Sequence, residues 1–168
     1  PYSFVDSKAH GSEFASCYVG PGQGTGGYIM PPPEYLSRLQ KILNERNILF
    51  VDDEIQMGFF RTGKFWAIEN FGVKPNIVVF GKAMTNGLNP ISGLWAEEAL
   101  ISPAKFPPGS THSTVASNTL GTTAALATLN WIEQQQYEKK VAESGAYFLE
   151  RLEILKKRHA TIGDVSGL

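Results

Sequence analysis

Ile48-Leu49-Phe50-Val51-Asp52-Asp53-Glu54 and, further along, Asn76-Ile77-Val78-Val79-Phe80-Gly81-Lys82 decide the fold of this chain. Both are short runs of consecutive apolar residues, as expected of strands buried on both faces of a parallel sheet. The first ends in acids and the second in a lysine. Outward from these two, residues 14 to 19 read as a short strand, followed by a glycine-rich turn over 20 to 27. A proline-rich entry then leads to a helix near 34 to 46. Residues 64 to 71 read as a short helix, and Ile91 to Trp95 as a further strand. From Asn118 the pattern turns helical to about 134. A second helix near 137 to 158 places Val141, Phe148, Leu149, Leu152 and Leu155 on one face, which is core periodicity. Strands alternating with helices predict an α/β fold with a mostly parallel sheet and flanking helices. No repeat, linker or low-complexity tract divides it.

In such a sheet, ligands gather in the crevice beyond the carboxyl ends of the strands, so Asp53 and Lys82 are expected to face one site. A lysine and an aspartate placed there point to pyridoxal phosphate. The amine of Lys82 can hold an aldehyde as a Schiff base, and desolvation would lower its pKa enough for exchange near neutral pH. The Asp53 carboxylate keeps a pyridine nitrogen protonated and electron-withdrawing. By strand alternation Asp52 and Glu54 point to the opposite face, which makes both structural. Each feature alone has a plainer alternative: Gly-Lys after a strand is ordinarily a solvated turn, and paired acids at a strand end are commonly structural or metal-binding.

The flanking residues sharpen the reading. Asp53-Glu54-Ile55-Gln56-Met57-Gly58-Phe59-Phe60-Arg61-Thr62-Gly63-Lys64 resembles the D-E-V-Q-x-G-F-x-R-T-G-K of the class III (omega) aminotransferases, and Phe71-Gly72-Val73-Lys74-Pro75-Asn76-Ile77-Val78 resembles their F-G-V-x-P-D-I-V. Upstream, Gln23-Gly24-Thr25-Gly26-Gly27-Tyr28 with prolines 31 to 33 is similar to Q-G-x-G-G-x-x-x-P-P. Downstream, Ser110 to Asn118 resembles the phosphate-contacting H-x-x-T-x-x-x-N segment. Four motifs in family order run from about residue 14 to the end.

The resemblance implies a fold type I pyridoxal-phosphate transferase and an aminotransferase that moves an amino group from an amine or amino acid donor to a 2-oxo acid acceptor. It makes Lys82 the Schiff-base lysine and Asp53 the partner of the pyridine nitrogen, and gives Gln56 a hydrogen bond to the cofactor's phenolic oxygen. Thr114, with Ser113 beside it, would reach the phosphate of the cofactor in a neighbouring subunit, making a homodimer with shared sites part of catalysis. A helix-capping hydroxyl is the ordinary alternative for Thr114. Family members are well over twice as long, so residues 1–160 resemble part of the cofactor-binding large domain, and 161–168 the start of the carboxy-terminal small domain. The ring-stacking aromatic and the phosphate turn would lie upstream, and the carboxylate-binding arginine downstream. The site is therefore expected to be incomplete, and residues 1–168 alone inactive. Thr25 stands where glutamate-using members carry a glutamate, Gly20 where a glutamate usually precedes the proline, and Asn76 where an aspartate is usual. Lys82 to Pro90 looks more like the omega-amino acid:pyruvate branch, which favours an omega-amine or beta-amino acid donor. Racemases, epimerases and decarboxylases of the same fold are the alternative.

Composition excludes other classes. The 168 residues are 42% hydrophobic and 18% charged, ordinary for a folded domain, and a net charge of −1 offers nothing to nucleic acid or an anionic membrane. No apolar run approaches the roughly 18 residues needed to span a bilayer, and residues 1 to 15 lack a signal peptide's regions, so a cytoplasmic enzyme is the default. The lone Cys17 reads as a packing residue. His10, His112 and His159 share no ligand spacing, so no metal site is assigned. Gly22-x-Gly24-x-x-Gly27 fits a dinucleotide pattern, but three prolines separate it from any helix. Gly58-x-x-x-x-Gly63-Lys64 looks like a phosphate loop, but Phe65 stands where a Ser or Thr should bind magnesium, leaving an ATPase as a remote alternative.

Overall fold

The computed structural model describes residues 14–111 and 113–168; His10 and His112, set aside above as metal ligands, lie outside them. Four strands form one sheet in the order β1 (Ser16–Val19), β2 (Leu49–Asp53), β3 (Ile77–Phe80), β4 (Gly93–Ala96). The first three run parallel, with Tyr18 beside Val51 and Asp53 beside Val79. β4 turns back antiparallel on β3, pairing Gly93 with Phe80. The mostly parallel α/β architecture expected from the two apolar runs is the one observed.

The core lies on one face of the sheet. Helix α1 (Tyr35–Glu45) repeats leucine at 36, 39 and 43, one helical stripe, and all three are at most 2% exposed. They pack with Ile48, Phe50, Ile68 and Val73, and Cys17 and Val19 lie against this cluster. Cys17 is thus the packing residue its strand setting suggested, and burial pushes its thiol up, away from thiolate chemistry. Asn47 takes a left-handed φ of 53° immediately after α1 and turns the chain into β2. Asn76 ties β2 to β3: its Oδ1 accepts from the Phe50 N–H at 2.8 Å and its own N–H donates to the Phe50 carbonyl at 2.9 Å. An amide oxygen accepts as a carboxylate would, so asparagine serves here where the family has aspartate.

A 3-10 turn (Ala67–Phe71) stands where the short helix was expected. A second 3-10 turn (Lys82–Thr85) follows β3, and a four-residue helix α2 (Glu98–Ile101) follows β4. Helix α3 (Thr119–Gln134) packs on the Lys82–Thr85 turn. Its start is capped by Asn118, whose Oδ1 accepts from the Gly121 N–H at 2.8 Å.

Helix α4 (Tyr137–Arg158) corrects one expectation. No residue of it is buried: Val141, Leu149 and Leu152 are half-covered, while Phe148 is 66% exposed. The stripe is present in the sequence, but it is covered only in part: Ser166–Leu168 and Arg61 line a groove with Phe148 and Leu149, and Phe60 stacks on Tyr137 at the helix start. Periodicity marks a face that can be buried; a second layer is needed to bury it. Among the described residues no helix is long and apolar enough to cross a membrane.

Candidate active site

Parallel pairing sets the site. Because Asp53 lies beside Val79, β2 and β3 end side by side, and the Glu54 N–H donates to the Val79 carbonyl at 2.9 Å to close the junction. Lys82 follows two residues after Phe80, the last residue of β3, and opens the 3-10 turn, which Thr85 anchors with an Oγ1 bond to the Asn89 carbonyl at 2.7 Å. Lys82 itself sits at φ 41°, in the left-handed region that side chains other than glycine and asparagine rarely adopt. Such strain persists where surrounding structure imposes it, and it concentrates at functional residues.

Asp53, Gln56 and Lys82 line one cavity of about 420 Å³, together with Tyr18 and the Gly20–Thr25 turn. Asp53 is half-buried, and its Oδ1 accepts from the Ile55 N–H at 3.0 Å, which fixes the carboxylate. Gly20 lets β1's end run close beside it: a Cβ there would lie 3.2 Å from the Asp53 carbonyl. Burial and the adjacent Asp53 carboxylate push the Tyr18 phenol up. Gln56 lies flat over the backbone of Gly24, where a Cβ would fall 1.9 Å from its Oε1. Its Nε2 donates to the Tyr28 hydroxyl at 3.3 Å. Lys82 and Gln56 also open onto an adjoining cavity of about 570 Å³ with Tyr28, Met30, Met57 and Arg61.

Three residues named from sequence therefore meet, and two do not join them. Ser113 and Thr114 are exposed in the turn before α3 and line none of the cavities that Lys82 lines. Nor does either hydroxyl cap the helix, since Asn118 takes that position. The desolvation expected at Lys82 is absent: its side chain is exposed at the mouth of the crevice. Tyr18 and Tyr28 were not singled out in the sequence. Tyr18 was findable, because register puts it on the same sheet face as Asp53. Tyr28 was not, since its reach to Gln56 depends on a turn with φ 54° at Tyr28 itself.

These residues fit a pyridine cofactor with an aldehyde. One carboxylate is held by a backbone N–H, one amide donor is fixed over a glycine, and one amine stands at the cavity's rim, each on a different element of the same crevice. They supply an acceptor for a ring N–H, a donor for a ring oxygen and a nucleophile.

Comparison with known proteins agrees. The family described as "Aminotransferase class-III" matches residues 4–168. A leucine/methionine racemase of Thermococcus litoralis is 36% identical over 168 residues, covering 98% of this chain and 37% of that protein. An ornithine aminotransferase of Exiguobacterium sp. is 38% identical over 169 residues, covering 99% and 41%. The solved ornithine aminotransferase of Toxoplasma gondii, described with partial occupancy of PLP at its active site, superposes with a TM-score of 0.85 at 31% identity, over 91% of this chain and 36% of that one. The chain thus spans less than half the length of these relatives, in the fold of the PLP-dependent transferases. With a family match over nearly every residue and relatives above 30% identity, this chain belongs to the class III aminotransferases.

Proposed function

We propose that this chain carries the cofactor-binding part of a pyridoxal-phosphate-dependent aminotransferase that moves an amino group from an amine or an omega- or beta-amino acid to a 2-oxo acid. The observation that supports it most is Lys82 at φ 41°, opening onto the same cavity as Asp53 and Gln56. When bound, the cofactor supplies an electron sink for the substrate's carbon. Lys82 Nζ would hold the cofactor through its aldehyde group and, when free, would move a proton at the substrate's carbon, acting as base and then acid. Asp53, already oriented by the Ile55 N–H, would accept from the cofactor's ring N–H and keep that nitrogen protonated. Gln56 Nε2, the donor now turned to Tyr28, would supply a hydrogen bond to the ring's phenolic oxygen.

The exposure of Ser113 and Thr114 supports a role outside this chain's own cavity, at the phosphate of a neighbouring subunit. That makes the working unit a homodimer in the cytoplasm, acting on small molecules. Residues 1–160 belong on this reading to the large domain and 161–168 to the start of the small one. A second reading, racemisation, is favoured by the racemase among the relatives; it uses the same Lys82 to return the proton to either face.

The test is the protein expressed from its complete reading frame, with and without Lys82→Ala. Borohydride treatment followed by mass spectrometry should find reduced cofactor on Lys82, and the variant should lose both the adduct and turnover. An adduct persisting in Lys82→Ala would sink the assignment. Incubating one enantiomer of an amino acid first without acceptor and then with pyruvate separates the two readings: inversion without acceptor marks a racemase, whereas transfer to pyruvate without inversion marks an aminotransferase.

A further inference from the structure

The face of β2 opposite Asp53 carries two more acids that no step of the transfer reaction uses. Asp52 and Glu54 alternate with Asp53 along the strand, so both point into the core with Phe50. Both are 0% exposed. Glu54 Oε1 accepts from the Ile68 N–H at 2.8 Å, which ties the end of β2 to the Ala67–Phe71 turn. Its Oε2 has no partner, and neither has Asp52 Oδ1 or Oδ2.

Two ionised carboxylates cannot stand in this position. Neither can donate to the other, three buried oxygens would go unsatisfied, and like charges would face each other away from water. The charged groups acting on the pair are themselves acidic: Asp53 on β2 and Glu69 on the adjacent turn. One proton resolves the arrangement. Glu54 already accepts from a backbone N–H and is the better anion; Asp52 accepts from nothing and is the better acid.

We propose that Asp52 is a buried carboxylic acid donating its proton to Glu54 Oε2, and that this pair positions Asp53 by fixing the end of β2 while keeping the added charge behind it to one. The shared proton follows from the burial of both carboxyls, their orphaned oxygens and their closeness to each other. Its consequence for Asp53 rests on the function proposed above, because an ionised Asp52 would favour protonation of Asp53 and so remove the partner of the ring N–H. The raised proton affinity of Asp52, caused first by burial and then by Glu54, agrees with this.

The experiment uses the protein from its complete reading frame at neutral pH. Infrared spectroscopy should show the carbonyl stretch of a protonated carboxylic acid that disappears in Asp52→Asn and persists in Asp53→Asn. In Asp52→Asn the amide still donates to Glu54 Oε2, so stability at neutral pH should be no lower than the parent's and cofactor retention should stay near it. In Asp52→Leu that oxygen loses its donor, and the unfolding equilibrium should shift by about tenfold or more. Absence of the band, its survival in Asp52→Asn, or equal stability of the Asn and Leu variants would each overturn the proposal. Loss of the band in Asp53→Asn alone would place the proton on Asp53 and overturn it too. Turnover of Asp53→Asn tests the functional reading separately, since the band does not depend on it.

Discussion

Gly24→Ala should impair cofactor handling and leave folding intact. A Cβ at this position would stand 1.9 Å from Gln56 Oε1, 2.6 Å from its Cδ and 2.9 Å from its Nε2, so the three nearest atoms all belong to one flexible amide. Gly24 does not occupy the left-handed region, so alanine adds no backbone strain there. The amide must swing away, breaking its bond to the Tyr28 hydroxyl and leaving the place where it would donate to the ring's phenolic oxygen. A hydrogen bond to a charged oxygen contributes about 1.5–3 kcal/mol. Turnover per bound cofactor, or cofactor retention, should therefore fall about tenfold to a hundredfold. Stability of the cofactor-free protein should change by no more than about 0.5 kcal/mol, as for surface substitutions that leave no buried group unpaired. Cofactor titration, steady-state kinetics and urea unfolding measure the three quantities. Gln56→Ala should give the same loss, and the double variant little more, because both remove one interaction. Normal turnover in Gly24→Ala, or losses that simply add in the double variant, would refute the role given to Gln56.

Asp53→Asn should still bind the cofactor on Lys82 but lose about a hundredfold to a thousandfold in the proton-transfer step, the usual effect of removing one preorganised electrostatic partner; a substrate deuterium isotope effect unchanged from the parent's would count against it. Leu43→Ala, at 1% exposure in the α1 stripe, should cost about 2–5 kcal/mol in urea unfolding, with less than 1 kcal/mol, on the order of a surface change, contradicting the core placement. Burial, Glu54 and Asp53 push the Asp52 carboxyl up to about 9 from an ordinary value near 3.8. Between those values the folded chain keeps a proton that the unfolded chain has released, so this contribution to stability is full below about pH 4 and is lost as pH rises toward 9. The slope is about 1.4 kcal/mol per pH unit at most. The parent-minus-Asp52→Asn difference in unfolding free energy should follow that slope, and a flat difference would contradict it.

The sequence by itself determined the strands and the three side chains that meet at their ends. A buried parallel strand shows as an unbroken apolar run, and the polar residues that close it stand where the crevice opens; Lys82 was legible from that position, and Asp53 from it together with the alternation that turns Asp52 to the other face. The helix near 34 to 46 was legible from its proline-rich entry, and the structure shows its leucines at 36, 39 and 43 on one buried face. Tertiary structure decided the rest. The α4 stripe has the same periodicity yet is half-open, because burial depends on a neighbouring layer and not on the helix that carries the stripe. The strain at Lys82, the seat of Gln56 on Gly24 and the reach of Tyr28 depend on backbone angles within turns, which residue types restrict without specifying. Alternation along β2 already set Asp52 and Glu54 apart from Asp53. Only their complete burial, with three oxygens left without partners, points to a shared proton, because desolvation and unmet hydrogen bonds belong to the packed chain as a whole.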